Sequence, residues 1–147
     1  MRPLDHDYVN DLIARLGRLR PDAKPAWGTL TPDRMIGHLM VIVRYSMGRG
    51  KSMPVRGNWF IRRILGPLII NGIVRMPRNV TGPAAAEALC PPGDTETFHA
   101  VLEEYLTLVQ SGDLEPPPHP FFGDIGVDGW AKLHVVHFEH HLRQFGV

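Results

Sequence analysis

The residues with the most chemical capacity in this chain are its histidines. There are eight, and four stand close together in His134-Val-Val-His137-Phe-Glu-His140-His141. On a helix turning about 100° per residue, Trp130, His134, His137, His141 and Phe145 fall in one sector, while Lys132, Glu139 and Arg143 fall on the opposite side. Three histidines therefore point along the expected buried face, with His140 toward its edge. Burying an imidazole costs on the order of 1–3 kcal/mol for each nitrogen left without a partner. A shared metal ion would serve as a partner for several at once.

Spacing limits which of them share an ion. His134 with His137 (i, i+3) and His137 with His141 (i, i+4) can each converge, but His134 and His141 lie about 10 Å apart along the axis. Only one pair forms the core of a site. Zinc enzymes use the i, i+4 arrangement on helices, which favours His137 with His141. A third ligand must come from another element. His38 stands at the border of an apolar stripe carrying Met35, Ile42 and Tyr45. Taken alone it reads as a core-edge histidine bonded to backbone; beside an inward histidine pair it reads as a ligand. His119, His99 and His6 are weaker candidates.

Other chemistry is absent or incomplete. Gly48-Arg-Gly-Lys-Ser52 lacks the glycine a phosphate loop needs, because Tyr45 occupies that position, and a helix rather than a strand precedes it. No nucleophile elbow, paired-cysteine zinc signature or dinucleotide fingerprint is found. The single cysteine, Cys90, precedes Pro91 and Pro92 and reads as an inert thiol in a loop.

The elements that must position these side chains are helical. One runs from about Leu4 to Leu19, with Leu4, Tyr8, Leu12, Leu16 and Leu19 on one face. A second starts after Thr31, a good N-cap followed by Pro32, and ends near Gly48 and Gly50. A third follows Asp94 and stops at Gly112, with Phe98, Val101, Leu102, Tyr105 and Val109 as its stripe. The fourth covers roughly Val127 to Phe145. Glu115-Pro-Pro-Pro-His-Pro120 cannot be helical and connects the last two. Lys51 to Pro92 is broken by glycine and proline and reads as a long crossover. Within it, Trp59 to Val74 is apolar enough for a short helix. Packing on the other helices is the expectation over a membrane surface, because Gly66-Pro67 breaks the amphipathic period an interfacial helix needs.

At 147 residues the chain is one domain's worth, spanning 1–147, and buries a real core without disulfides. Neither a signal peptide nor a membrane span is legible, and one cysteine fits a reducing compartment, so the expected location is cytoplasmic. The net charge of +1 hides an asymmetry: from Arg34 to Ala86 there are nine Lys or Arg and no Asp or Glu, while the remainder has seven bases against fifteen acids. That block suits an anionic partner as well as a basic surface balanced by acidic neighbours.

Two stretches, Trp27-Gly-Thr-Leu-Thr-Pro-Asp-Arg-Met-Ile-Gly-His38-Leu and His119-Pro-Phe-Phe-Gly with Trp130 and His137-Phe-Glu-His-His-Leu-Arg-Gln-Phe145, resemble the DinB-like superfamily. The tail is most similar to an uncharacterised bacterial branch ending in His-His-Leu-Arg-Gln-Phe. The resemblance covers roughly residues 8–47 and 97–147. It implies an all-α four-helix bundle with a long crossover between helices 2 and 3, burying Leu12, Leu39, Ile42, Leu102, Tyr105, Phe138 and Leu142. It also implies one divalent ion (Zn, Ni or Fe) on His38, His137 and His141, with His134, Trp130 and His119 around them. The function that follows is a metal-dependent transferase or hydrolase activating a thiol or water, with a small-molecule substrate such as a low-molecular-weight thiol, in a chain that forms a homodimer. Nucleic acid is not the expected partner of that enzyme. The competing expectation is a non-catalytic metal-binding protein whose basic crossover meets an anionic partner.

Overall fold

A computed structural model of the chain describes residues 1–50, 53–78 and 90–147. Parts of the expected crossover, including Lys51 and Ser52 of the rejected phosphate-loop segment, lie outside the described residues. Among the described residues the fold is all-helical: α1 (His6–Leu16), α2 (Pro32–Ser46), α3 (Gly66–Ile70), α4 (Thr95–Ser111) and α5 (Gly126–Phe145), with a π-helical turn, Ile61–Leu65, running into α3. The four helices expected from periodicity are α1, α2, α4 and α5. The only strand-like pairing among the described residues is an isolated bridge between His119 and Gly123. No described helix is long and apolar enough to cross a membrane.

Local chemistry sets the helix ends. The Asp5 carboxylate accepts from the Tyr8 N–H at 2.8 Å and the Asp94 carboxylate from the Thr97 N–H at 2.8 Å, each satisfying a donor that the first helical turn leaves open. Thr31 departs from its expected role. Its side chain does not cap α2, because its hydroxyl donates to the Asp33 carboxylate instead. Pro32 at the first turn, which has no N–H to satisfy, opens the helix without it.

The core lies where α1, α2, α4 and α5 meet. Leu12, Leu39, Leu102, Tyr105, Phe138 and Leu142 are buried as their stripes predict, each apolar side chain contributing about 1.5–3 kcal/mol by leaving water. Ile42 is the exception among the expected core positions. It is only partly buried, packing beside Tyr45, Trp130 and Leu133 in a second, smaller cluster. Glu139, on the polar side of α5, faces α1 rather than open solvent. It accepts from Tyr8 Oη at 3.1 Å and from Arg15 at 2.9 Å, closing the α1–α5 contact.

Two features bring distant chain to the α2–α5 seam. Gly37 lets the backbone of residues 90–93 lie against α2: a Cβ there would stand 1.6 Å from the Pro91 carbonyl oxygen, and the Gly93 N–H donates to the Asp33 carbonyl at 2.9 Å. The second is α3, whose Ile69 and Ile70 are buried and which packs against α5. Gly66-Pro67 does not break this segment. The Gly66 N–H reaches Ile61 O across a π turn, so the wider turn absorbs the irregularity and the helix continues.

Gly37→Ala is expected to cost about 1–3 kcal/mol, the range for overpacking a close contact, and to displace the neighbouring His38. Urea unfolding of the variant beside the parent chain measures the first, and the imidazole resonances of His38 report the second.

Candidate metal centre

α2 and α5 run antiparallel, as their contacts show: His38 meets His137 and His141, Ser46 meets His134, and Tyr45 meets Trp130. Rising numbers on α2 thus face falling numbers on α5. At one end of this seam the Nε2 atom of His137 stands 3.1 Å from Nε2 of His38 and 3.1 Å from Nε2 of His141. These three are the one group among the described residues whose ligand atoms gather for an ion, all within 4.8 Å of one another. His38 and His137 are partly exposed and His141 is buried.

Bonding around His141 fixes its tautomer. Gln144 Nε2 donates to the Trp27 carbonyl at 2.6 Å, so Gln144 Oε1 is the atom that faces His141 Nδ1 at 2.7 Å. An amide oxygen only accepts, so Nδ1 carries the proton. The neutral ring then has a bare Nε2 lone pair, and that lone pair is aimed at the centre of the cluster. Burial pushes the His141 imidazole down to about 3, with His38 adding to the effect. His137 is likewise pushed well below the ordinary histidine value, by burial first and then by His141 and His38.

Two of the three donor separations suit a transition metal. Two nitrogens held tetrahedrally at 2.0–2.1 Å from one ion stand about 3.3 Å apart, close to the observed 3.1 Å. Without an ion, His137 Nε2 has to answer two neighbouring nitrogens with one lone pair or one proton.

Cys90 and Gln144 are the side chains seen bonding to the outer nitrogens of the cluster. Cys90 is buried, and its Sγ lies 3.6 Å from Nδ1 of His38. Cys90 lies in a loop, as its flanking prolines lead one to expect, and its burial against His38 is what the sequence does not show. The contact depends on the close approach at Gly37, a long-range feature with no local sequence signal. Gln144 had a sequence signal, since it stands three residues after His141 on the same helix face.

The residues expected around the site make their hydrogen bonds elsewhere. His134 Nε2 meets Ser46 Oγ at 2.8 Å, its ring stacks on Phe138, and its Nδ1 has no partner among the described residues. Trp130 Nε1 donates to the Pro117 carbonyl at 3.0 Å. His119 Nδ1 accepts from the backbone N–H groups of Phe121 and Phe122, and its ring stacks on Phe122. These three line an aromatic column at the other end of the seam. None of their hydrogen bonds reaches the triad. His140 is buried edge-on to Trp27. His99 and His6 pair with Glu103 on the outer faces of α4 and α1.

Residues 1–146 match a family model described as "Protein of unknown function (DUF1569)", and the chain belongs to that family. No curated protein and no solved structure matches it.

Burial holds His134 down at about 3, with His119 adding to it, and holds His119 at about 4. Both values lie below that of the unfolded chain, so their stabilising contribution is complete above about pH 6.5 and is lost as pH falls toward the folded values. Between pH 7 and pH 5 each group is expected to lower stability by about 2 kcal/mol. Urea midpoints at the two pH values measure the loss, and a midpoint that does not move would contradict buried, neutral rings.

Proposed function

We propose that this member of the family holds one divalent transition-metal ion (Zn, Ni or Fe) through His38, His137 and His141 and is a metal-dependent enzyme, a transferase or hydrolase acting on a small molecule. The observation that carries the reading is the convergence of three imidazole Nε2 atoms, with His137 3.1 Å from each of the other two. Three neutral imidazoles with an open side suit all three metals. Once bound, such an ion lowers the pKa of a water or thiol at an open position enough to make it a nucleophile near neutral pH.

The chain's own residues do the rest. Gln144 keeps the His141 lone pair turned inward, and Cys90 meets the outer nitrogen of His38. Partial exposure of His38 and His137 leaves a side for substrate. Thiol transfer is the reaction we put first, with a low-molecular-weight thiol as substrate. The reading includes a DinB-like four-helix bundle made by α1, α2, α4 and α5, with the segment between α2 and α4 as its crossover. It also includes a homodimer and a reducing, cytoplasmic setting for the free thiol of Cys90. A non-catalytic metal-binding protein is the competing reading, favoured by the exposed basic segment rather than by the triad.

Titration calorimetry with zinc should give one site per chain, lost in His38→Ala, His137→Ala and His141→Ala and retained in His134→Ala. Gln144→Ala should weaken binding about 10–100-fold, the usual effect of removing a group that orients a ligand. Retention in His141→Ala together with loss in His134→Ala would overturn the ligand set.

For activity, protein loaded in turn with zinc, nickel and iron is assayed for thiol conjugation and ester hydrolysis. At least one loaded form should exceed the His137→Ala variant. Equality across all forms would leave the non-catalytic reading.

A further inference from the structure

The basic segment carries an unusual surface. Along 59–74 the inner side chains Ile69 and Ile70 are buried, yet Trp59 is 65%, Phe60 55% and Ile73 71% exposed, with Ile64 and Val74 also exposed. Scattered single apolar residues are ordinary on a surface; a tryptophan, a phenylalanine and three aliphatics in one short stretch are not. Arg56, Arg62, Arg63 and Arg75 are exposed among them, and no acidic residue occurs between Arg34 and Ala86. None of these four arginines forms an ion pair among the described residues.

The scaffold holds this surface outward. The Arg56 N–H donates to the Pro120 carbonyl at 2.6 Å, and a Cβ on Gly57 would stand 1.6 Å from the Phe121 carbonyl oxygen, so residues 56–57 lie flat on the connector before α5. Gly66 presses on Phe122, where an added Cβ would come within 2.9 Å of the ring. The inner face of the segment is thereby committed to the protein, and the outer face has no partner among the described residues.

We infer that this face, Trp59, Phe60, Ile64 and Ile73 with Arg56, Arg62, Arg63 and Arg75, docks on an anionic lipid surface. Tryptophan and phenylalanine sit at headgroup depth, aliphatic side chains enter the acyl boundary, and arginines meet lipid phosphates and carboxylates. No described helix spans a membrane, so the chain lies on the surface. Charge argues against the alternatives. A two-fold contact with a second copy sets the same patch against itself, bringing arginine to arginine with no acid between them. Nucleic acid satisfies the arginines and stacks on the rings, but it leaves Ile64, Ile73 and Val74 facing phosphate and water.

The test is co-sedimentation of the full chain with vesicles of phosphatidylcholine alone and of phosphatidylcholine with phosphatidylserine. Binding is expected only to the anionic vesicles, falling as salt rises, with a blue shift in tryptophan emission that Trp59→Phe removes. Each arginine contributes about five-fold in affinity, so Arg62→Gln with Arg63→Gln should weaken binding about 25-fold. These side chains are exposed, so the variants should keep the parent's thermal midpoint. His137→Ala should bind vesicles like the parent, which separates this surface from the metal reading. The inference is overturned by equal binding to neutral vesicles, by no binding at low salt, by a dimer in light scattering that Trp59→Ser dissolves, or by retention on DNA that the arginine variants abolish.

Discussion

Three imidazoles turned toward one another across the α2–α5 seam are the constraint on which the local structure depends. His141 is buried and His38 and His137 are partly so, and at the centre the Nε2 atoms face one another. Uncompensated, such a cluster costs a few kcal/mol, a sizeable part of the margin by which a domain this size is stable. The surrounding hydrogen bonds set the orientation of one lone pair. Trp27 fixes the Gln144 amide, Gln144 fixes the His141 proton, and the lone pair is left pointing inward. The order is set by hydrogen-bond chemistry, since a carbonyl oxygen cannot donate.

The same seam explains why one helix carries histidines of two kinds. His137 and His141, one turn apart, face His38, while His134 lies one turn further along opposite Ser46. Ser46 Oγ lies 2.7 Å from the Val43 carbonyl, to which it donates. It therefore takes the His134 Nε2 proton as acceptor, and His134 is held as a neutral structural ring. Phe138, Tyr105 and Trp130 pack around it. Identical side chains thus differ in chemistry through the residue that meets each across the seam.

Much of this was legible in the sequence because helical periodicity is strong here. The apolar stripes that carry Leu12, Leu39, Leu102 and Phe138 predict the core, and the i, i+4 spacing of His137 and His141 with His38 at the border of its stripe predicts the cluster. What was not legible came from long-range backbone contacts. Cys90 reaches His38 only because Gly37 admits the chain at Pro91. Trp130 shares the expected helix face and His119 stands in the connector, but their hydrogen bonds run to backbone at residues 117, 121 and 122 rather than to the triad. Gly66-Pro67 reads as a break because proline removes a helical donor, whereas a π turn restores continuity. That continuity leaves Trp59 and Phe60 on the outside of an ordered segment.

The three-histidine cluster lies on the α2–α5 seam, and the basic, aromatic surface lies on the segment packed against α5. The first rests on convergent lone pairs and the second on exposed apolar and cationic side chains, and either stands without the other. The central claim concerns the triad. X-ray absorption on the metal carried by protein purified without chelator or a metal-charged column tests it most directly. The account predicts about three imidazole nitrogens at 2.0–2.1 Å with no sulfur neighbour. A sulfur scatterer from Cys90, fewer than three imidazoles, or the same metal content in the His137→Ala variant would contradict it.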